Sequence, residues 1–389
     1  MTRIIFGLIL SSYFASLYSQ TPKLHLPEDQ VVYFNTYELQ KMDSLPMLDS
    51  VLGQYRFFFT AEEHWLDINT QIQYEFLVFL HKHAGVKNLI LEGGYSYAYM
   101  INQYLKTGKE WYLKKALYNP PVCPDGLTEL FRKIYAYNLR FPPLERIQVV
   151  GIDLEQSPQL VVNTLNELIP NKVLSSGVRV KMEQLMRFQL TPENDKELRK
   201  YFRQLHKEVQ IRRRAYRRYW GNQYWLFKMI LDNTVQGFDS PLLRDFIYAH
   251  SDQKKREDRL FQNFKLLQEH ERFRKGNFYA QFGGIHTELS PAINWGYPTL
   301  AQRLNYDKLS PVQNQVLSFS KYFRRLRRIY ERFDEYEAFS EIMDGISKNM
   351  KTDFALCKME GSANIFPNIS KDFQFMLVIK PDKEINRCE

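Results

Sequence analysis

Four short, mostly apolar runs, each followed within four residues by an ionisable one, constrain this chain more than any other feature. They cover residues 55–59, 88–91, 147–152 and 277–282, and stretches with helical spacing follow them. Such runs suit strands covered on both faces, and strands separated by helices pair in parallel. The expected class is therefore α/β, with a largely parallel central sheet flanked by helices. The first helix should span residues 67–83, with Ile68, Ile72, Phe76, Phe79 and Leu80 on one side and Gly85 as its stop. Two late apolar runs, 353–360 and 372–380, should complete the sheet.

Across residues 158–271 the strand signal vanishes and helical patterns take over, with a helix start at Thr191-Pro192. This block reads as a helical insertion near one end of the sheet. The expected organisation is a signal peptide at 1–19, the first part of the α/β domain at 20–157, the insertion at 158–271 and the second part at 272–389. Residues 1–19 run from a positive charge at Arg3 through an apolar stretch to small residues, the order of a cleaved leader. No later stretch reaches the ~20 apolar residues that a membrane span needs. Export to the periplasm or the extracellular space follows as an expectation.

Ligands of open α/β sheets bind beyond the carboxyl ends of the strands. The residues standing there are Glu62, Glu63 and His64 after the first run, Glu92 after the second, Asp153 after the third and His286, behind Gly283-Gly284, after the fourth. Each has an ordinary reading alone. His64 could open a helix, Glu62 and Glu63 could favour its positive end, Glu92 could cap a turn, and Asp153 could pair with an arginine. Four charged strand ends on one rim nevertheless favour a site, because a buried charge is costly unless paired or used. Two imidazoles with several carboxylates suit general acid–base chemistry. Trp65, Tyr95 and Tyr97 stand close enough in sequence to line a pocket, although aromatic stripes more often belong to a core.

Other features exclude classes. A 44% hydrophobic composition excludes disorder. Cys123, Cys357 and Cys388 are too few for a disulfide scaffold and too far apart for a zinc knuckle. There is no Gly-x-Ser-x-Gly elbow, and Cys123 precedes Pro124, so no covalent nucleophile is indicated. The net charge of +9 concentrates in runs 212–218 and 324–328. Both runs read as solvated faces of amphipathic helices, the second carrying Tyr322, Leu326, Ile329 and Phe333, and no nucleic-acid partner is expected.

The segment Glu62-Glu63-His64, then Leu91-Glu92, then 98–108, resembles the Gly-Glu-x-x-His, strand and Glu pattern of the erythromycin esterase family. Gly151-Ile152-Asp153 is similar to its Gly-x-Asp strand end, Arg256-Glu257 with Leu260 and Asn263 to its Arg-Asp helix, and 280–286 to its next strand and histidine. The chain departs from the pattern at Ala61, at Gln71 and Gln73, and in having His286 without a second histidine. The resemblance implies hydrolysis of a small-molecule ester or lactone without a cofactor. In that reading His64 is the general base, Glu92 or Glu62 orients it, His286 stabilises the oxyanion or protonates the leaving alcohol, Asp153 fixes a neighbour, and Arg256 contacts substrate. Two rivals keep the same rim: a hydrolase with zinc or another divalent metal on His64, Glu92 and His286, or a relative that binds a small molecule or haem without turnover.

Overall fold

In a computed structural model of the chain, strand β2 (Phe57–Glu62) is buried almost to its tip, and its side chains divide between the two faces of the sheet. Phe58 packs with Ile72 and Phe76 on one face, and Phe57 and Phe59 pack with Leu260 and Phe264 on the other. The described residues are 26–64, 66–117, 124–170, 176–187, 195–239, 250–290, 296–324, 335–359 and 367–381. The candidate leader, Trp65, Cys123, Cys388 and Thr191-Pro192 lie outside them.

One eight-stranded sheet runs in the order β1-β7-β8-β6-β2-β5-β3-β4. The strands are β1 (Val31–Phe34), β2, β3 (Val86–Leu91), β4 (Gln148–Gly151), β5 (Asn277–Gly283), β6 (Val316–Tyr322), β7 (Phe354–Lys358) and β8 (Phe375–Ile379). From β8 to β4 every neighbouring pair is parallel, as near-continuous apolar strands require. Only β7, set between β1 and β8, runs antiparallel.

Helices α1 (Pro46–Leu52), α2 (Ile68–Ala84), α3 (Tyr95–Thr107), α4 (Glu110–Ala116) and α5 (Pro124–Asn138) precede β4. Gly85 closes α2 in the left-handed conformation, φ 62°, so the expected glycine stop is where the backbone needs it. Between β4 and β5 the described residues hold no strand. They form α6 (Pro158–Leu168), α7 (Ser176–Arg187), α8 (Asp195–Ile211), α9 (Arg213–Trp220), α10 (Tyr224–Asp239) and α11 (His250–Glu269). Helices α6 to α10 share an apolar core of their own, in which Trp220 stacks on Phe227 at 4.2 Å, while α11 buries Leu260, Phe261, Phe264 and Leu267 against the sheet. There the Phe264 ring meets Phe57 at 5.1 Å, and Asn263 Nδ2 donates to the Ile152 carbonyl at 2.7 Å. Helices α12 (Leu300–Tyr306), α13 (Tyr336–Asn349) and α14 (Ile369–Asp372) follow. No described helix is long and apolar enough to cross a membrane.

The assignment of Tyr322 to a helical stripe is corrected, because this residue ends strand β6. Its partners in that stripe, Leu326, Ile329 and Phe333, lie outside the described residues.

Candidate functional site

Because β2, β5, β3 and β4 are adjacent and parallel, their carboxyl ends share one rim. The backbone brings those ends close together. A side chain on Gly151 would collide with the Gly94 carbonyl, and with glycine there the Asp153 amide reaches the Gly93 carbonyl at 3.1 Å. Across the β3–β5 boundary, the Gly283 amide donates to Glu92 Oε2 at 2.9 Å.

Arg256, projecting from α11, joins two of these strand ends. Its Nη2 donates to Glu92 Oε1 at 2.7 Å and to Asp153 Oδ2 at 2.5 Å, and its Nε donates to Asp153 Oδ2 at 3.1 Å. Asp153 is only 1% exposed, so the arginine pairing open to it in the sequence is the one it makes. Burial would lower the guanidinium's pKa, but Asp153 and Glu92 outweigh it and hold Arg256 firmly charged. Burial likewise pushes Glu92 up, and Arg256 followed by His286 overrides this, leaving a carboxylate well below its usual range.

His286 lies between two acids. Its Nδ1 contacts Glu257, the residue after Arg256, and its Nε2 faces Glu92 Oε1 at 3.5 Å and Arg256 Nη1 at 3.4 Å. Burial alone would strip its proton, yet Glu257 and then Glu92 raise its pKa to about 10. His286 is accordingly an imidazolium at neutral pH and a fixed positive charge beside Glu92.

His64 is the exposed member, with 48% of its side chain accessible. Its Nδ1 meets Glu62 Oε1 at 3.0 Å, and this hydrogen bond leads the effects that raise its pKa above 6.5. An acid on Nδ1 fixes the proton there and leaves Nε2 as the lone-pair nitrogen. A Cβ at 283 would stand 3.1 Å from that Nε2 and 3.7 Å from Glu92 Oε2, so Gly283 keeps the space between the two clear. Glu62 is itself held from behind. Gln281 Nε2 donates to Glu62 Oε2 at 3.1 Å and to the Asn69 carbonyl at 3.0 Å, while the buried Lys321 Nζ donates to Asn69 Oδ1 at 3.1 Å. Desolvation draws the Lys321 ammonium down to about 7 against the pull of Glu62.

His64, Glu62, Glu92, Asp153, His286 and Arg256 thus gather at one rim, and the two histidines meet around Glu92. Glu63 contributes its carbonyl, which accepts from Asn69 Nδ2 at 2.5 Å. Of the aromatic candidates, Tyr95 is buried in the core of the α6–α10 helices, edge-on to Trp225 at 5.9 Å, with its hydroxyl on the Asn263 carbonyl at 3.4 Å. Tyr97 leans on Phe131 at 6.5 Å. Both serve packing, the ordinary fate of such a stripe. Gln281, Asn69, Lys321 and Glu155 were not among the sequence candidates, and Glu257 entered only through the family resemblance. Glu155 accepts the Ser96 amide at 3.0 Å at the start of α3, and burial raises its carboxyl to about 7. One donor set is compact: Glu62, His64 and Glu92 each offer a ligand atom within 4.8 Å of the others. His286, expected in such a set, turns its nitrogens to Glu257, Glu92 and Arg256 instead.

No family model matches the chain, and no curated protein matches it in sequence. Solved structures do match in shape. A Bacillus cereus protein superposes with a TM-score of 0.60 at 16% identity, over 89% of this chain and 98% of that one. A succinoglycan biosynthesis protein gives 0.59 at 14%, over 90% and 94% of the two chains. A mutant of the erythromycin esterase EreC in its open conformation gives 0.58 at 12%, over 90% and 97%. At 12–16% identity the likeness is one of architecture, and this chain has the α/β fold of all three.

Proposed function

We propose that the protein is an exported hydrolase that activates water with His64 to cleave a small-molecule ester or lactone. The observation that carries the reading is the Glu62–His64 contact of 3.0 Å on an otherwise exposed imidazole, because it leaves Nε2 open to water at the rim. Nε2 takes a proton from water as the water oxygen bonds to the acyl carbon. Arg256 and the His286 imidazolium supply positive charge near the oxyanion that forms. Collapse breaks the bond to the alkoxy oxygen, which takes the proton back from His64, giving one acid and one alcohol. The shape shared with the EreC esterase supports this chemistry, and the charged-then-apolar order of residues 1–19 supports export. The test is His64→Ala assayed on a panel of chromogenic esters and lactones. Turnover should vanish with the fold intact by circular dichroism, and activity retained in that variant would end the assignment.

The compact Glu62, His64 and Glu92 donor set favours a second reading, in which a divalent cation such as zinc is held there and supplies an activated water. The chemistry fits, since two carboxylates and an imidazole are usual ligands for such ions. Elemental analysis of the purified protein separates the readings: one bound metal per chain supports the second, and full activity after chelation removes it.

A further inference from the structure

Helix α9 and the residue before it take five arginines and no acid from positions 212–218, in a chain whose net charge is +9. The helix buries Tyr216, Tyr219 and Trp220, so Arg213, Arg214, Arg217 and Arg218 all face solvent. They form two columns spaced four residues apart, an arrangement in which like charges repel. Among the described residues, one ion pair reaches this run, Arg212 with Glu208 at 3.5 Å. A purely solvated face mixes both signs, and this one does not. At the corner where α8 meets α9, Ile211 is 84% exposed, an aliphatic side chain standing among arginines.

We propose that the α8–α9 corner is a docking surface for an anionic phospholipid bilayer, with the five arginines on lipid phosphates and Ile211 entering the headgroup layer. Guanidinium groups bind phosphate through paired donors, and surface adsorption combines such charges with a small apolar insertion. An aliphatic tip gains nothing on a nucleic-acid backbone, which is why a bilayer fits better than another polyanion. Tyr216 stacks on Phe227 at 6.0 Å and Trp220 stacks on it at 4.2 Å, which fixes the direction in which the arginines point. The proposal is independent of the chemistry at the rim.

The test uses the full chain with vesicles of phosphatidylcholine alone or mixed with phosphatidylglycerol. The protein should sediment with the mixed vesicles only. The combined variant Arg213→Gln, Arg214→Gln, Arg217→Gln and Arg218→Gln should lose roughly tenfold or more in partitioning. Ile211→Trp should add a blue-shifted emission on the mixed vesicles, read as the difference from the unsubstituted protein. No sedimentation, equal partitioning of the four-arginine variant, or an unshifted Ile211→Trp signal with tight binding to duplex DNA would each overturn the proposal.

Discussion

Replacing Arg256 by methionine keeps a long apolar stem and removes the cation shared by Glu92 and Asp153. The arginine holds them at 2.7 and 2.5 Å, so Asp153, 1% exposed, and Glu92, 16% exposed, would both lose that partner. Breaking a buried pair from one side costs about 3–5 kcal/mol. The cost depends on pH, and its sign follows from Glu92. In the intact protein Glu92 titrates well below 4.5, so its contribution to stability is present above that value and is lost as pH falls through its folded pKa. In the variant the burial effect loses its strongest opponent and mainly His286 remains against it, so Glu92 binds a proton more readily and acid relieves the charge that has lost its arginine. Urea unfolding should therefore show a gap of about 3–5 kcal/mol between the two proteins near pH ~8, falling to half or less near pH ~5. A gap below about 1 kcal/mol, or one equal at both pH values, would refute the view that Arg256 neutralises the two carboxylates.

Other outcomes follow from the same geometry. Glu62 raises the pKa of His64 above 6.5, and a general base works when neutral, so the kcat/KM of the active protein should rise with pH through a value above 6.5. Glu62→Gln should move that limb down towards 6.5 and lower kcat by roughly tenfold; an unmoved limb would separate Glu62 from the base. Gly283→Ala places a Cβ 3.1 Å from His64 Nε2, so turnover should fall sharply while urea stability changes by less than about 1 kcal/mol. Burial raises Glu155 from 4.5 to about 7, so its stabilising contribution is complete below 4.5 and is lost as pH climbs through about 7. That shift corresponds to roughly 3 kcal/mol. Glu155→Gln should flatten the stability profile across this window, and an unchanged slope would place the titration elsewhere.

Legibility in the sequence followed burial pattern. Strands β2 to β5 were readable because their runs are apolar on both faces and stop at ionisable residues. Strand β6 was hidden by Ser318, Ser320 and Lys321, which are polar yet buried; the Ser318 hydroxyl is satisfied by the Thr287 carbonyl at 2.6 Å, a contact no local pattern announces. Strand β1 has four residues, too few to show a period. The antiparallel entry of β7 is a matter of chain direction, which composition does not encode. Within the site, the strand-end groups were legible from position alone. Glu257 was legible only through the family resemblance, because it stands in the run Lys254-Lys255-Arg256-Glu257-Asp258-Arg259, where a solvated helix face is the natural reading. The return of α11 to the sheet shows what Arg256 and Glu257 reach. Gln281 and Asn69 escaped for a related reason: neutral amides gain meaning only from what they reach.

The strand order also sets a minimum length. Strand β5 lies between β2 and β3, although both are translated long before it, with the helices α6–α11 in between. Residues from 277 onward supply the strand that joins β2 to β3, so in a chain that stops short of them Glu62 and Glu92 share no adjacent strand, and neither Gly283 nor His286 is beside them. A chain cut upstream of β5 therefore cannot assemble this rim at all, whatever the stability of the part that remains.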